Sequence, residues 1–255
     1  MIDKASVDRI VEAAELSGDD LVLEIGTGLG TLTKEIAERA GRVISVEYDK
    51  ILFEIAGDIL KGHANLELVR EDFLKLDLQK ILKKNKSFKA YKVVGNLPYY
   101  ITAPIITKLI ETHPKFSLAV FTVQREVGER LIASAGSKDY GTLSIYVQYH
   151  CDISISSHIP RSAFYPHPKV SSSVIVMKPR TKPAVEVKDE ELFFKLVHAA
   201  FGHRRKTLRN SLLLSEKLNR SKEEIDAALE RSGINGERRG ETLSLEEYAK
   251  LSNSL

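Results

Sequence analysis

With 255 residues, 43% hydrophobic and 29% charged side chains, the chain has room for one large domain and a small one, and it is too apolar for a disordered protein. A net charge of only +3 says little about partners, no run of about 18 apolar residues marks a membrane span, and the amphipathic start lacks the apolar core of a secretory signal. The single cysteine, Cys151, excludes an internal disulfide and a cysteine-built zinc site, and it suits a reducing, cytoplasmic setting.

In chain order, Val7, Ile10, Val11 and Ala14 repeat at helical spacing. Leu21–Ile25 is a short apolar run that ends at a glycine cluster, which predicts a strand and a turn. Thr31 to Ala40 predicts a helix, Val43–Val46 a strand and residues 50–60 a second helix. Leu66–Val69 and Val93-Val94 continue the strand series, 103–112 reads as a helix and Leu118–Phe121 as a strand. This βαβα order predicts a parallel sheet with helices on both faces. Residues 143–155 and 171–178 read as β-rich with no helix between them, and they are expected to pair antiparallel at one sheet edge. Pro179 and Pro183 mark a linker, after which 190–202, 204–214, 221–232 and 244–253 read as helices. The expected division is therefore an α/β domain of Rossmann-like type over 1–183 and a small all-α domain over 184–255.

The glycine cluster is Gly26-Thr27-Gly28-Leu29-Gly30 between a strand and a helix. Glycines there let the backbone turn sharply and approach a ligand. The spacing differs from the dinucleotide Gly-x-Gly-x-x-Gly, and no Gly-Lys-Ser/Thr follows. Glu47, with Tyr48 after it, closes the second strand about 20 residues on, where a carboxylate can accept from both ribose hydroxyls. Asp72 and Phe73 follow the third strand, where an acid can accept from an adenine amino group beside an aromatic ring. A nucleoside without pyrophosphate, such as S-adenosylmethionine, fits this set. Thr27, Gly28 and Gly30 complete the expected cofactor residues.

The fourth strand runs into Asn96-Leu97-Pro98-Tyr99. The amide oxygen of Asn96 and a backbone carbonyl stiffened by Pro98 supply two acceptors for the hydrogens of an adenine amino group. Two acceptors favour a more tetrahedral nitrogen, whose lone pair can meet a sulfonium methyl. Tyr99 can stack on the base. Extracting a base from its stack costs a few kcal/mol, so a second aromatic is expected, and Phe164, in the proline-stiffened Ala163–Lys169 loop, is the candidate.

Charge is unevenly spread. Residues 75–92 hold seven lysines against Asp77, and residues 202–220 hold Arg204, Arg205, Lys206, Arg209, Lys217 and Arg220 against Glu216. Both clusters suit a polyanion, and both also suit a solvated surface. The seven histidines form no pair at ligand spacing, and no metal is expected.

Taken together, Glu24–Gly30, Asn96–Ile101, Val123–Val127, Tyr140–Ser144, Phe164–Val170 and Phe201–Asn210 resemble the ribosomal RNA adenine dimethyltransferases, and most closely the small-subunit branch tied to kasugamycin sensitivity. The resemblance covers nearly the whole chain. It implies dimethylation of two adjacent adenines near the 3′ end of small-subunit ribosomal RNA and a part in subunit maturation. It also implies cofactor contacts at Gly26, Glu47, Asp72 and Asn96, and RNA contacts at Arg204, Arg205, Lys206 and Arg209. A monomer is the default expectation. Members of the family usually carry a basic stretch with Gln-x-Phe-Leu, supplying cofactor contacts and part of the target-base pocket, ahead of the pair that matches Ile2-Asp3, whereas this sequence starts at Met1; weakened cofactor binding, or no activity, in this form is an open expectation. Other readings stay open: the antibiotic-resistance branch acting on one large-subunit adenine, a non-catalytic assembly or transcription factor of the same fold, and a small-molecule methyltransferase.

Overall fold

The computed structural model describes residues 3–203 and 205–255, and of Tyr99 only the backbone. The helix α1 (Lys4–Ala13) is capped by the Asp3 carboxylate, which accepts from the Ser6 N–H. Then follow β1 (Leu21–Ile25), α2 (Thr31–Ala37), β2 (Arg42–Glu47), α3 (Lys50–Ile59), β3 (Leu66–Arg70), α4 (Leu78–Lys84), β4 (Tyr91–Asn96), α5 (Thr102–Glu111) and β5 (Leu118–Gln124). The chain goes on through α6 (Arg125–Leu131), α7 (Thr142–His150), β6 (Cys151–Ile159), β7 (Ser172–Pro179), α8 (Glu190–Gly202), α9 (Leu208–Leu213), α10 (Lys222–Ser232) and α11 (Leu245–Asn253).

The seven strands form one sheet in the order β3-β2-β1-β4-β5-β7-β6. The first five are parallel, and β7 joins β5 antiparallel. Strands covered on both faces must be apolar along their length: every residue of β1 is buried, and so are the first six of β5. One face packs Val7, Ile10 and Ile36 against Val22, Val94 and Val120 in a continuous core. The order reverses between β1 and β4, so the crevice beyond their carboxyl ends is the place where such sheets bind ligands.

Two compact units emerge. One runs up to Gly128 and resumes over Ile153–Pro179; the other joins Glu129–Asp152 to Arg180–Leu255. The single boundary expected near residue 183 therefore leaves out a segment: 129–152 belongs with the helical unit. The reason lies in its side chains, because Tyr140, Ile145 and Tyr149 are buried in one core with Phe193, Leu196 and Tyr248. The β-rich reading of 143–155 is corrected in the same way. Residues Thr142–His150 are helical, and only from Cys151 does the strand begin. The helices α4 and α6 were not anticipated. In the second unit, capping boxes Ser221/Glu224 and Ser244/Glu247 start α10 and α11.

Candidate active site

The loop after β1 places Gly26, Gly28 and Gly30 at φ of 84°, 56° and 80°, conformations that favour glycine. The Gly26 N–H bonds the Val46 carbonyl at 2.9 Å, which ties the loop to β2. Glu47, at the end of β2, is only 8% exposed. Its two carboxylate oxygens accept from the backbone N–H of Gly28 (2.8 Å) and of Asp49 (2.9 Å). Each oxygen keeps a further lone pair, so the group is fixed and can still accept two hydroxyls.

Beneath the loop lies a buried polar chain. Ser45 Oγ donates to Glu24 Oε2, so the 2.6 Å contact between Thr27 Oγ1 and Ser45 Oγ must use the Thr27 hydrogen. Burial pushes the Glu24 carboxyl up to about 7, and the charge of Glu47 adds to the rise. Thr27, 4% exposed, thus supports the loop from below.

After β3, the Asp72 carboxylate accepts from the Leu74 N–H at 2.9 Å and shapes a turn. That turn is pinned by Lys108 on α5, whose ammonium donates to the carbonyls of Leu74 (2.8 Å) and Leu76 (2.7 Å) and lies 5.7 Å from the centre of the Phe73 ring. Burial lowers the Lys108 pKa, opposed by the charges of Asp72 and Asp77. Lys108 was not singled out from the sequence; its only signal was one cation in the otherwise uncharged stretch Ile105-Ile106-Thr107-Lys108-Leu109-Ile110.

Asn96 ends β4 opposite Thr122 of β5, and the Leu97 N–H bonds the Thr122 carbonyl at 3.0 Å. Pro98 then leads into a 3₁₀ turn, Tyr99–Ile101. The Pro98 carbonyl accepts from the Ile101 N–H and from the Thr102 hydroxyl, both at 3.2 Å. Among the described residues no donor meets the Leu97 carbonyl. Gly95 permits this arrangement: a Cβ there would lie 2.6 Å from the Ile25 carbonyl oxygen, so only glycine lets β4 approach β1 this closely.

These elements surround a cavity of about 290 Å³ at the strand ends. Of the expected residues, Gly26, Glu47, Tyr48, Asp72, Phe73 and Pro98 line it. Thr27, Gly28, Gly30, Asn96 and Leu97 adjoin it in sequence without lining it. Ile25, Val46 and Ile101 add apolar walls that suit a purine. A bent glycine backbone, a fixed carboxylate and apolar walls fit a nucleoside cofactor of the S-adenosylmethionine kind.

Two of the expected residues lie away from the cavity. Phe164 does not line the cavity; it is 7% exposed and packs in the core with Ile159, Ala163 and Val174, where it anchors its loop. The aromatic that does line the cavity beside Pro98 is Tyr100, 84% exposed, which the sequence reading had passed over. Arg209 is committed elsewhere: its Nε and Nη2 bond both carboxylate oxygens of Asp226 at 2.5 and 2.7 Å, joining α9 to α10. Arg205 and Lys206 are exposed, while Arg204 and the Tyr99 side chain lie outside the described residues. In the first unit, Lys83, Lys86 and Lys89 of the lysine-rich stretch line a second cavity near Leu21 and Tyr91, the residues that open β1 and β4, at the opposite strand ends.

Comparison with known proteins gives consistent matches. A family model described as ribosomal RNA adenine dimethylase matches residues 1–255. A ribosomal RNA small subunit methyltransferase A from Halothermothrix orenii is 42% identical over 256 residues, covering 100% of this chain and 85% of that protein. Among solved structures, a dimethyladenosine transferase from Plasmodium falciparum superposes with a TM-score of 0.82 at 26% identity, over 98% of this chain and 95% of that one. The 23S rRNA methyltransferase ErmE superposes with a TM-score of 0.74 at 29% identity, over 99% of this chain and 98% of that one.

Proposed function

The chain belongs to the ribosomal RNA adenine dimethylase family, and on that premise we propose that it dimethylates the exocyclic amino group of adenines in small-subunit ribosomal RNA, two adjacent adenines near the 3′ end, using S-adenosylmethionine. The observation that carries the reading is the convergence of Gly26, Glu47, Asp72, Phe73 and Pro98 on one cavity at the β1/β4 reversal. A 23S rRNA methyltransferase shares the fold over 99% of this chain, so the fold does not choose between the ribosomal subunits. The 42% identity to a small-subunit enzyme over this whole chain favours that branch.

In this reading Glu47 accepts the ribose hydroxyls, Asp72 accepts from the cofactor's adenine amino group, and the glycine loop takes the amino-acid end. When bound, the cofactor supplies a methyl group on a positively charged sulfur. Asn96 Oδ1 and the Leu97 carbonyl hold the two hydrogens of the target amino group. Pro98's own carbonyl is already engaged, which leaves Leu97's as the available acceptor. The bound cofactor would supply its methyl group to this nitrogen, whose surplus proton would leave for solvent. No strong base is needed before attack, so positioning and local electrostatics supply the rate. Tyr100, beside Pro98 on the cavity, offers an aromatic surface to the flipped base. Stacking returns roughly 1–3 kcal/mol per base, which offsets the flip. Among the described residues no helix is long and apolar enough to cross a membrane. The pre-ribosomal particle, the cytoplasm and a monomeric state complete the proposal.

Labelled S-adenosylmethionine, offered with unmethylated small or large subunits, tests the substrate. Label in small-subunit RNA alone is expected. Label in large-subunit RNA, or in free adenosine, would overturn it.

A further inference from the structure

At the end of the sheet opposite the crevice, the first unit holds a cavity of about 420 Å³, large enough for a small organic molecule. Its floor is apolar. Leu21 and Tyr91 are buried where β1 and β4 begin, and Leu82 and Phe88 are half-buried and partly open to the cavity. Over that floor stand Lys83, Lys86 and Lys89, all exposed. Among the described residues, none of these three lysines makes an ion pair or a side-chain hydrogen bond, and no acid lines the cavity.

The frame around the floor is fixed. The Asp77 carboxylate caps α4 by accepting from the Lys80 N–H at 3.0 Å. Asn85 closes the other end: its side-chain Nδ2 donates to the Ile81 carbonyl at 3.0 Å, and its N–H donates to the Leu82 carbonyl at 3.1 Å. Both carbonyls belong to the negative end of that helix, so covering them weakens a field that would repel an anion. The Phe88 N–H returns to the Asn85 carbonyl at 3.1 Å. The Phe88 ring rests by the loop before β2, where a Cβ on Gly41 would stand 3.3 Å from it. A ligand on this floor therefore orders little besides the lysine side chains.

A solvated lysine patch has no use for a concave apolar floor, and a chain of phosphates needs only the charges. The two features together select a ligand with a flat apolar body and an anionic group. We propose that this cavity binds a small aromatic anion, with its ring on the floor and its carboxylate or phosphate among Lys83, Lys86 and Lys89. An aromatic carboxylate and a nucleoside monophosphate share that chemistry. The five residues of β1 separate this floor from the glycine loop by roughly 15 Å. The site is thus distinct from the methyl-transfer crevice, and the inference stands apart from what that crevice methylates.

The test titrates the full chain by calorimetry with naphthoate and with adenosine monophosphate, using neutral naphthamide and inorganic phosphate as controls. One of the two aromatic anions, or both, should bind, more weakly as KCl is raised, and which of them binds identifies the source of the ligand. Naphthamide and phosphate should bind roughly tenfold more weakly or not at all. Lys83→Gln/Lys86→Gln/Lys89→Gln should cost roughly tenfold in affinity for the anion. Ala90→Trp, which fills the cavity from an exposed lining position, should abolish binding. Melting temperature and S-adenosylmethionine affinity should be unchanged in the triple lysine variant, whose altered side chains are all exposed. Failure of both aromatic anions to bind the parent chain overturns the proposal. So does naphthamide or phosphate binding as tightly as the anions, since apolar contact or charge alone would then explain it. Parent affinity retained in the triple lysine variant also overturns it. Binding lost in Ile51→Ser/Ile55→Ser instead would assign the probe to the exposed apolar stripe on α3 and overturn it as well.

Discussion

Two carboxylates that feel each other's charge, Glu24 and Glu47, illustrate how residue environment divides labour. Glu47 is held by two backbone N–H groups and faces the cavity; Glu24 is sealed beneath the loop. Replacing Glu47 by Gln puts an amide NH₂ where one of the two backbone donors already points and removes the charge. Hydrogen bonds to charged groups contribute about 1.5–3 kcal/mol, so cofactor affinity should fall roughly ten- to a hundredfold, read by calorimetric titration. Glu24 makes a different prediction. Its folded-state pKa stands at about 7 against an ordinary 4.5. The unfolded chain therefore releases this proton more readily, and its contribution to stability is present below pH 4.5 and lost as pH rises through 7. The loss is about 3 kcal/mol in all. Melting temperatures of the parent and Glu24→Gln, compared from pH 5 to pH 8, should diverge with the parent falling; parallel curves would refute this. At this scale the sequence was informative where chemistry demands a residue type at a strand end, as for Glu47, Asp72 and Asn96. It was silent on Tyr100 and Lys108, because neither residue type is unusual on a helix or turn and only the fold brings them to the cavity.

Among elements, the closest approach is that of β1 and β4. An alanine at Gly95 would force its Cβ to 2.6 Å from the Ile25 carbonyl, and backbone cannot yield as a side chain can. Gly95→Ala should cost about 1–3 kcal/mol in thermal stability and displace Asn96, with kcat falling more than cofactor affinity. Lys108→Met, by contrast, leaves the sheet intact and frees the 72–76 turn. Cofactor affinity should drop several-fold with little change in kcat, and a kcat loss without an affinity loss would contradict the pinning role. The parallel strands were legible because burial on both faces leaves an uninterrupted apolar run. The helix α7 was not: Thr142, Ile145, Tyr146, Val147 and Tyr149 are β-branched or aromatic and read as strand. Tertiary packing decides, since Ile145 and Tyr149, four apart, bury the same helical face in the second core. The core packing of Phe164 was not legible for a related reason, because proline flanks predict a stiff loop without saying which way its aromatic points.

Across the molecule, charge has been divided between holding the fold and leaving cations for a partner. Arg209 belongs to the first class, through its two bonds to Asp226. Arg209→Ala should lower the melting temperature modestly and leave the salt dependence of RNA binding unchanged. Arg205→Ala/Lys206→Ala should do the reverse, making the salt slope shallower by about 2 with no change in melting. The sequence showed the excess of positive charge in 202–220 but could not sort it, because an arginine's partner 17 residues away is a property of helix packing. In the same way it placed a helical domain after residue 183 but could not see that 129–152 completes that domain's core.

On the proposed function, the β1/β4 crevice methylates adenine in small-subunit RNA. Mapping transferred methyl groups by nucleotide on unmethylated small subunits tests it most directly. Dimethyladenosine at two adjacent positions near the 3′ end, absent with Asn96→Ala, is the expected result. Methyl groups on another base, or the same products undiminished in Asn96→Ala, would contradict it.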